Sequence, residues 1–394
     1  MPTQRSLSTE ARLVFRSADP ACAPAELRAL ANGVQDWVRA LVLAEQEGAT
    51  PALWRALRRH TQPIPAEVAV FLQQRTMMSD FRMQLLSQRL QETLRTFAAR
   101  GIPVILLKGA AVGALTDPTF CARPMTDLDL LVQKEDTERA RAAIIDSGWP
   151  QTTDPRLLDL LKNQHHLPPF VSPLLPGLRL ELHTELFALG HSFALGHDAL
   201  WRDSRPAPAP FEGARVLSPE HMLLHVCAHF AWQHSMRFAA WRTIRSVAAV
   251  ASLPQLSWET LVQEARSAKA LTVCYWTLRI AQRLSGLEVP AAVMLQLAPP
   301  TPEWLRRALE RHFVADLAMG EGPTSPSVRL SHWLWRAALR PRWSGHRAPG
   351  RGDPEHRWER AYGRHKEETL WSRLVRHASA YRTWWNFFAH TLRG

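Results

Sequence analysis

Cysteine is scarce in this 394-residue chain: Cys22, Cys121, Cys227 and Cys274 stand far apart, with no Cys-x-x-Cys pair. That excludes a zinc ribbon and a disulfide framework, and it fits a reducing compartment. Long apolar runs are missing as well. No uninterrupted stretch approaches the ~18 residues of a membrane-crossing helix. The opening MPTQRSLSTEARLVFRSADP lacks the apolar centre of a secretory signal. The cytoplasm is therefore the expected location. Acidic residues are also in deficit, 36 against 48 Lys and Arg, for a formal net charge of +12. From Ser325 onward 14 basic residues face 5 acidic ones, so nine of the twelve net charges lie in the last 70 residues. Such a bias concerns partners: nucleic acid, anionic lipid or a phosphorylated substrate. No internal repeat is present.

What the chain does have is a hydrophobic fraction of 46%, enough for a packed core. From Pro24 to about Arg100, apolar residues recur every three or four positions, which predicts a helical region over 1–100. Gly101 supplies a helix stop and Pro103 starts a different pattern. PVILLKG reads as a strand ending in Lys108-Gly109, AAVGAL as a helix start, TDLDLLV as a strand and KEDTERARAAIIDSG as an amphipathic helix closed by Gly148. HHLPPFV and LRLELHTELF are two more strand candidates, separated by a proline- and glycine-containing loop that suits a hairpin. The expected core is thus an α+β unit over 101–200. SRPAPAPFEGARV reads as a connector, and Ser218 followed by Pro219 marks the start of a helical domain over 201–322. A basic, tryptophan-rich tail occupies 323–394.

MTDLDLL places two aspartates inside an apolar strand. Side chains alternate along a strand, so Asp127 and Asp129 project from one face. Two neighbouring carboxylates repel and resist desolvation unless a cation lies between them. Oxygen ligation of this kind suits Mg2+ or Mn2+. Glu181, in the apolar strand RLELHTEL, is the natural third carboxylate, and His183 shares its strand face. Two metals shared by three carboxylates can activate an attacking hydroxyl and neutralise a leaving pyrophosphate, as nucleotidyl transfer requires. Gly109 at a helix start lets backbone N–H groups approach a phosphate, Lys108 adds a positive charge, and Arg123 offers a bidentate grip.

ILLKG, then RPMTDLDLLV, then a helix ending in glycine, then LRLELHTEL resembles the bacterial family of uncharacterised nucleotidyltransferases within the polymerase-beta-like nucleotidyltransferase-fold superfamily. The resemblance runs from about Leu27 to residue 290, with its specific motifs between 104 and 187. It implies a mixed sheet flanked by helical regions, with Asp127, Asp129 and Glu181 as catalytic, metal-binding carboxylates. It also implies Mg2+-dependent transfer of a nucleoside monophosphate from an NTP such as ATP to a hydroxyl. Lys108-Gly109 stands where many superfamily members carry Gly-Ser or Gly-Gly, which bears on the phosphate grip. AAWRTIRSVAAV holds Arg242 and Arg245 where an acidic residue is usual, which bears on acceptor choice. The acceptor stays open among small molecules, sugars and peptides. A non-catalytic scaffold and an RNA-directed transferase are the competing classes.

His221, His225 and His229 recur at every fourth position, a spacing that fits a zinc site, a cleft lining or simple helix packing. No HExxH glutamate lies between them. In the tail, Trp333, Trp335, Trp343, Trp358, Trp371, Trp384 and Trp385 alternate with arginines. They fit packing on the body of the protein or contact with an anionic polymer or membrane surface.

Overall fold

The computed structural model describes residues 7–58, 64–152, 165–175, 177–187, 193–234, 236 and 239–319. The tail assigned to 323–394, with its tryptophans, lies outside the described residues. Five helices come first: α1 (Thr9–Arg16), α2 (Pro24–Asn32), α3 (Trp37–Glu47), α4 (Thr50–Leu57) and α5 (Ala66–Ala99). The helical periodicity starts at Pro24, so α1 is an addition to the expected elements. Ser8 caps it by accepting from the Ala11 N–H (3.3 Å), and Leu13, Val14 and Phe15 are buried. α5 runs for 34 residues and ends before Gly101, whose φ of +60° breaks the helix as expected.

Among the described residues, six short strands form one mixed sheet: β1 (Ile105–Leu106), β2 (Asp127–Leu131), β3 (Phe170–Val171), β4 (Arg179–His183), β5 (Arg205–Pro206) and β6 (Arg215–Val216). Their order is β3-β4-β2-β1-β6-β5. β2 pairs with β4 in parallel and with β1 antiparallel, while β1 pairs with β6 in parallel. The expected strand, helix, strand, helix succession appears as β1, α6 (Lys108–Thr116), β2 and α7 (Thr137–Asp146). β3 and β4 form the expected antiparallel pair. SRPAPAPFEGARV is more than the expected connector, because its two ends are β5 and β6, an antiparallel hairpin on the far edge. Its pattern hides this: the strands are two residues long, and a proline sits on the exposed edge, where its missing N–H is tolerated.

α8 (His197–Asp203) lies between β4 and β5, and after the sheet come α9 (Pro219–Ala228), α10 (Ala240–Ala251), α11 (Trp258–Ser267), α12 (Leu271–Ser285), α13 (Ala291–Leu297) and α14 (Glu303–Met319). Ser218 caps α9 by accepting from the His221 N–H (3.2 Å), with proline in the first helical position. α9 and α10 pack against α6, so the C-terminal helices meet the sheet where β1 ends. A second tie is polar. The buried Glu47 carboxylate at the end of α3 accepts from the Trp241 N–H (2.9 Å) at the start of α10, a favourable place for an anion. The Trp241 indole N–H donates to Ser17 Oγ (3.1 Å). Apolar side chains from Ala11 to Ala318 join in one cluster, which includes Leu128, Leu130, Leu180 and Leu182 on the core face of the sheet. Among the described residues, no helix is long and apolar enough to cross a membrane.

Gly113 in α6 lies directly beneath Phe120, and a Cβ there would overlap the ring. Phe120 has a left-handed backbone (φ 61°) and stacks on Phe211 at 5.3 Å, so the ring has little room to withdraw. Gly113→Ala is expected to destabilise the fold by about 1–3 kcal/mol, read as a lower denaturation midpoint. An unchanged midpoint would mean that the ring yields.

Candidate active site

The parallel register of β2 and β4 sets Asp127 beside Arg179, Asp129 beside Glu181 and Leu131 beside His183. Alternation puts Asp127, Asp129, Glu181 and His183 on the same face of adjacent strands, about 4.8 Å apart. Asp129 is only 2% exposed. Its Oδ1 accepts from the Lys108 ammonium (2.6 Å) and from His183 Nε2 (2.8 Å). The same His183 nitrogen stands 3.7 Å from Glu181 Oε2. Lys108 reaches this position because it follows β1 directly and adopts a left-handed backbone (φ 45°) at the first residue of α6. That conformation costs a non-glycine residue about 1–2 kcal/mol.

Burial works against every charge here, and the neighbours decide which ones survive. For Asp129, Lys108 and His183 overcome the burial penalty and hold the carboxyl far below the usual range. Glu181 is lowered despite burial, chiefly by its hydrogen bond with His183. His183 and Lys108 are raised despite burial, by Asp129 first and then by the other carboxylates. Asp127 is the exception. Burial, then Asp129 and Glu181, push it up to about 6, and Lys108 and Arg123 offset this only partly. Of the three carboxyls, Asp127 is thus the one that its surroundings hold least firmly in the charged form.

Arg123 packs over the start of α6. A Cβ on Gly109 would overlap Arg123 Nη1 and Met125 Sδ, so glycine is what admits the guanidinium. Arg123 Nε donates to the Arg242 carbonyl (3.2 Å). Burial and then Arg242 lower its pKa to about 10, so it stays cationic at neutral pH. No side chain caps the N-terminus of α6, which leaves that end open to an anion. Lys108 turns to Asp129 instead of outward, a different posture from the phosphate contact expected of it.

One donor atom each from Asp129, Glu181 and His183 lie within 4.8 Å of one another. The expected metal set was Asp127, Asp129 and Glu181, with His183 among the nucleotide contacts. In the folded chain His183 joins the converging donors, and Asp127 stands one step along the same strand face. The spacing Glu181-Leu182-His183 already contained that signal, since residues two apart share a face. The donors present, three carboxylates and an imidazole, fit a divalent cation such as Mg2+ or Mn2+.

Histidines form a wall beside these groups. His165 and His166 were legible only as part of a strand candidate, yet their rings lie 5.0 and 5.2 Å from His183. α9 ends in a π-helical turn, His229–Gln233, a form often found at functional sites. This turn sets His229 against His234 at 4.3 Å and His225 at 6.2 Å, and Gln233 Nε2 donates to His165 Nε2 (3.0 Å). Burial and then Lys108 push His225 and His234 down to about 3, and His229 also falls well below its usual range. His165 is likewise driven down, by burial and then by His183. These rings are therefore neutral at physiological pH. His221 leaves the stripe and faces Glu264 at 3.4 Å. Among the described residues the stripe forms no converging set of three donor atoms.

A carboxyl raised by folding is protonated in the folded state at pH values where the unfolded chain has already ionised. Its charge therefore costs stability above about pH 6 and nothing once both states are protonated. Asp127→Asn should raise the metal-free denaturation midpoint at pH 8, with a gain that fades as pH falls below about 6. A lower midpoint at pH 8 would show that the aspartate charge is well compensated. Lys108→Met leaves Asp129 charged and without its cation, and should destabilise by about 3–5 kcal/mol, measured by chemical denaturation.

No curated protein and no solved structure matches the chain. The family described as uncharacterised nucleotidyltransferase matches residues 33–286, a span that holds every strand, the carboxylates and the histidine wall. With more than half its length matched and the acidic strand pair in place, the chain belongs to the uncharacterised nucleotidyltransferase family.

Proposed function

We propose that this protein is a Mg2+-dependent enzyme that transfers a nucleoside monophosphate from an NTP to a hydroxyl of a small molecule, sugar or peptide. The observation that carries the proposal is the Asp127, Asp129, Glu181 constellation, set beside Lys108 and Arg123 in a member of a nucleotidyltransferase family. Asp129 and Glu181 would hold the ion with Asp127 or His183. When bound, it would supply positive charge and polarise the phosphate and attacking hydroxyl.

The remaining chemistry belongs to the chain. The acceptor oxygen attacks the α-phosphorus in line, a new P–O bond forms, and the bond to the β-phosphate oxygen breaks to release pyrophosphate. The hydroxyl proton passes to a carboxylate, and Glu181 or Asp127 is the group at hand. Arg123 and the uncapped end of α6 present donors to the triphosphate. The histidine wall supports an uncharged acceptor. His165 Nδ1, His225 Nε2 and Gln233 Oε1 are buried without a hydrogen-bond partner among the described residues. Neutral imidazole and amide groups of this kind suit hydroxyls, and leaving them unmatched costs about 1–3 kcal/mol each.

The test is thermal shift with each Mg-NTP, together with release of pyrophosphate on addition of polyol and peptide acceptors. At least one Mg-NTP should stabilise the wild type, and Asp127→Asn should reduce that shift and abolish pyrophosphate release. Equal shifts in both proteins, or no shift with any nucleotide, would sink the proposal.

A further inference from the structure

A cavity of about 470 Å³ lies between α1, α2, α4 and α10 and touches the loop before β2 at Ala122. None of the carboxylates of the candidate active site lines it. Three arginines do: Arg28 from α2, Arg55 from α4 and Arg245 from α10. Arg55 is committed, with an ion pair to Asp80 and a hydrogen bond to the Cys121 carbonyl (2.9 Å). The other two differ. Arg28 makes no hydrogen bond or ion pair among the described residues. Arg245 is largely enclosed, and its one hydrogen bond among the described residues is long, from Nη1 to the Ala18 carbonyl at 3.4 Å. A guanidinium carries five N–H donors, so most of those on Arg245 are unmatched by protein.

The nearby carboxylates, Asp19 and Asp117, offset the Arg245 charge only through space, and Asp19 is the one acidic group among the cavity's lining residues against three arginines. Asp19 Oδ1 accepts from the Ala21 N–H (2.8 Å). Asp117 lies near Arg245, and its two oxygens accept from Thr119 and from the Ala122 N–H. Proline, leucine and alanine side chains supply the remaining walls, including Pro20, Leu27 and Ala56. Low-dielectric walls around unpaired guanidinium groups concentrate a positive field. The volume is that of a small-molecule site.

We propose that this cavity binds a small organic oxyanion, a phosphate or carboxylate head on an apolar body, with Arg245 and Arg28 gripping the head and the Pro20, Leu27 and Ala56 walls covering the body. A planar guanidinium fork matches either head in bidentate fashion. The site touches both segments that hold Arg123. Ala122 precedes Arg123 in the chain, and Arg245 lies one turn beyond Arg242, whose carbonyl Arg123 bonds. The proposal is independent of nucleotidyl transfer.

Calorimetric titration of the full chain with phenyl phosphate and with benzoate, at ionic strength held constant with sodium chloride, tests it. At least one probe should bind saturably, and the preferred probe assigns the head group. Arg28→Gln and Arg245→Gln should each weaken that binding about tenfold or more. Arg28 makes no bond that the fold depends on, so its variant stays interpretable even if Arg245→Gln fails to fold. Absence of saturable binding with both probes, or undiminished affinity in Arg28→Gln, would overturn the proposal.

Discussion

Three carboxylates on adjacent parallel strands cannot share one face of a buried sheet unless positive charge is delivered to the same place. The register of β2 with β4 brings Asp129 beside Glu181, and from that pairing the rest of the site follows. Lys108 takes up a costly left-handed backbone so that its ammonium meets Asp129. His183 bonds the same oxygen from the neighbouring strand. Even so burial, then Asp129 and Glu181, push Asp127 up to about 6. Buried oxygen donors set this close together suit a cation.

The helices around the sheet serve this arrangement from two sides. α6 presents an uncapped N-terminus next to the carboxylates, with Gly109 giving Arg123 room to lie against it. α9 and its π-helical turn bring His225, His229 and Gln233 close to His165 and Lys108, where burial keeps the rings uncharged. The site thus has charged groups on one set of elements and neutral, hydrogen-bonding rings on another. Glu47 fastens α3 to the start of α10, whose Arg242 carbonyl holds Arg123.

The parts legible in the sequence are those in which one element carries its own signal. Asp127 and Asp129 in an apolar run, Glu181 and His183 two apart in another, and Gly101 and Gly148 after helical patterns all follow from periods of two or 3.6 residues. The π-helical turn escaped because it inserts an extra step into a pattern that otherwise reads as one continuous helix. α1 is only eight residues long, and β5 and β6 have two residues each, too short for a period to emerge. His165 and His166 carry no spacing signal, and their role near His183 depends on strand contacts across the fold.

What the sequence by itself determined is the identity of the chemical groups and which of them share an element face, because backbone periodicity is a local property. The tertiary structure decided which faces meet. It placed His183 among the converging donors, turned Lys108 inward, separated His221 from the other histidines, and left Arg28 and Arg245 unpaired around a cavity. Each of these depends on residues far apart in the chain arriving within a few ångströms. Desolvation and charge pairing act on those distances, and no local pattern encodes them.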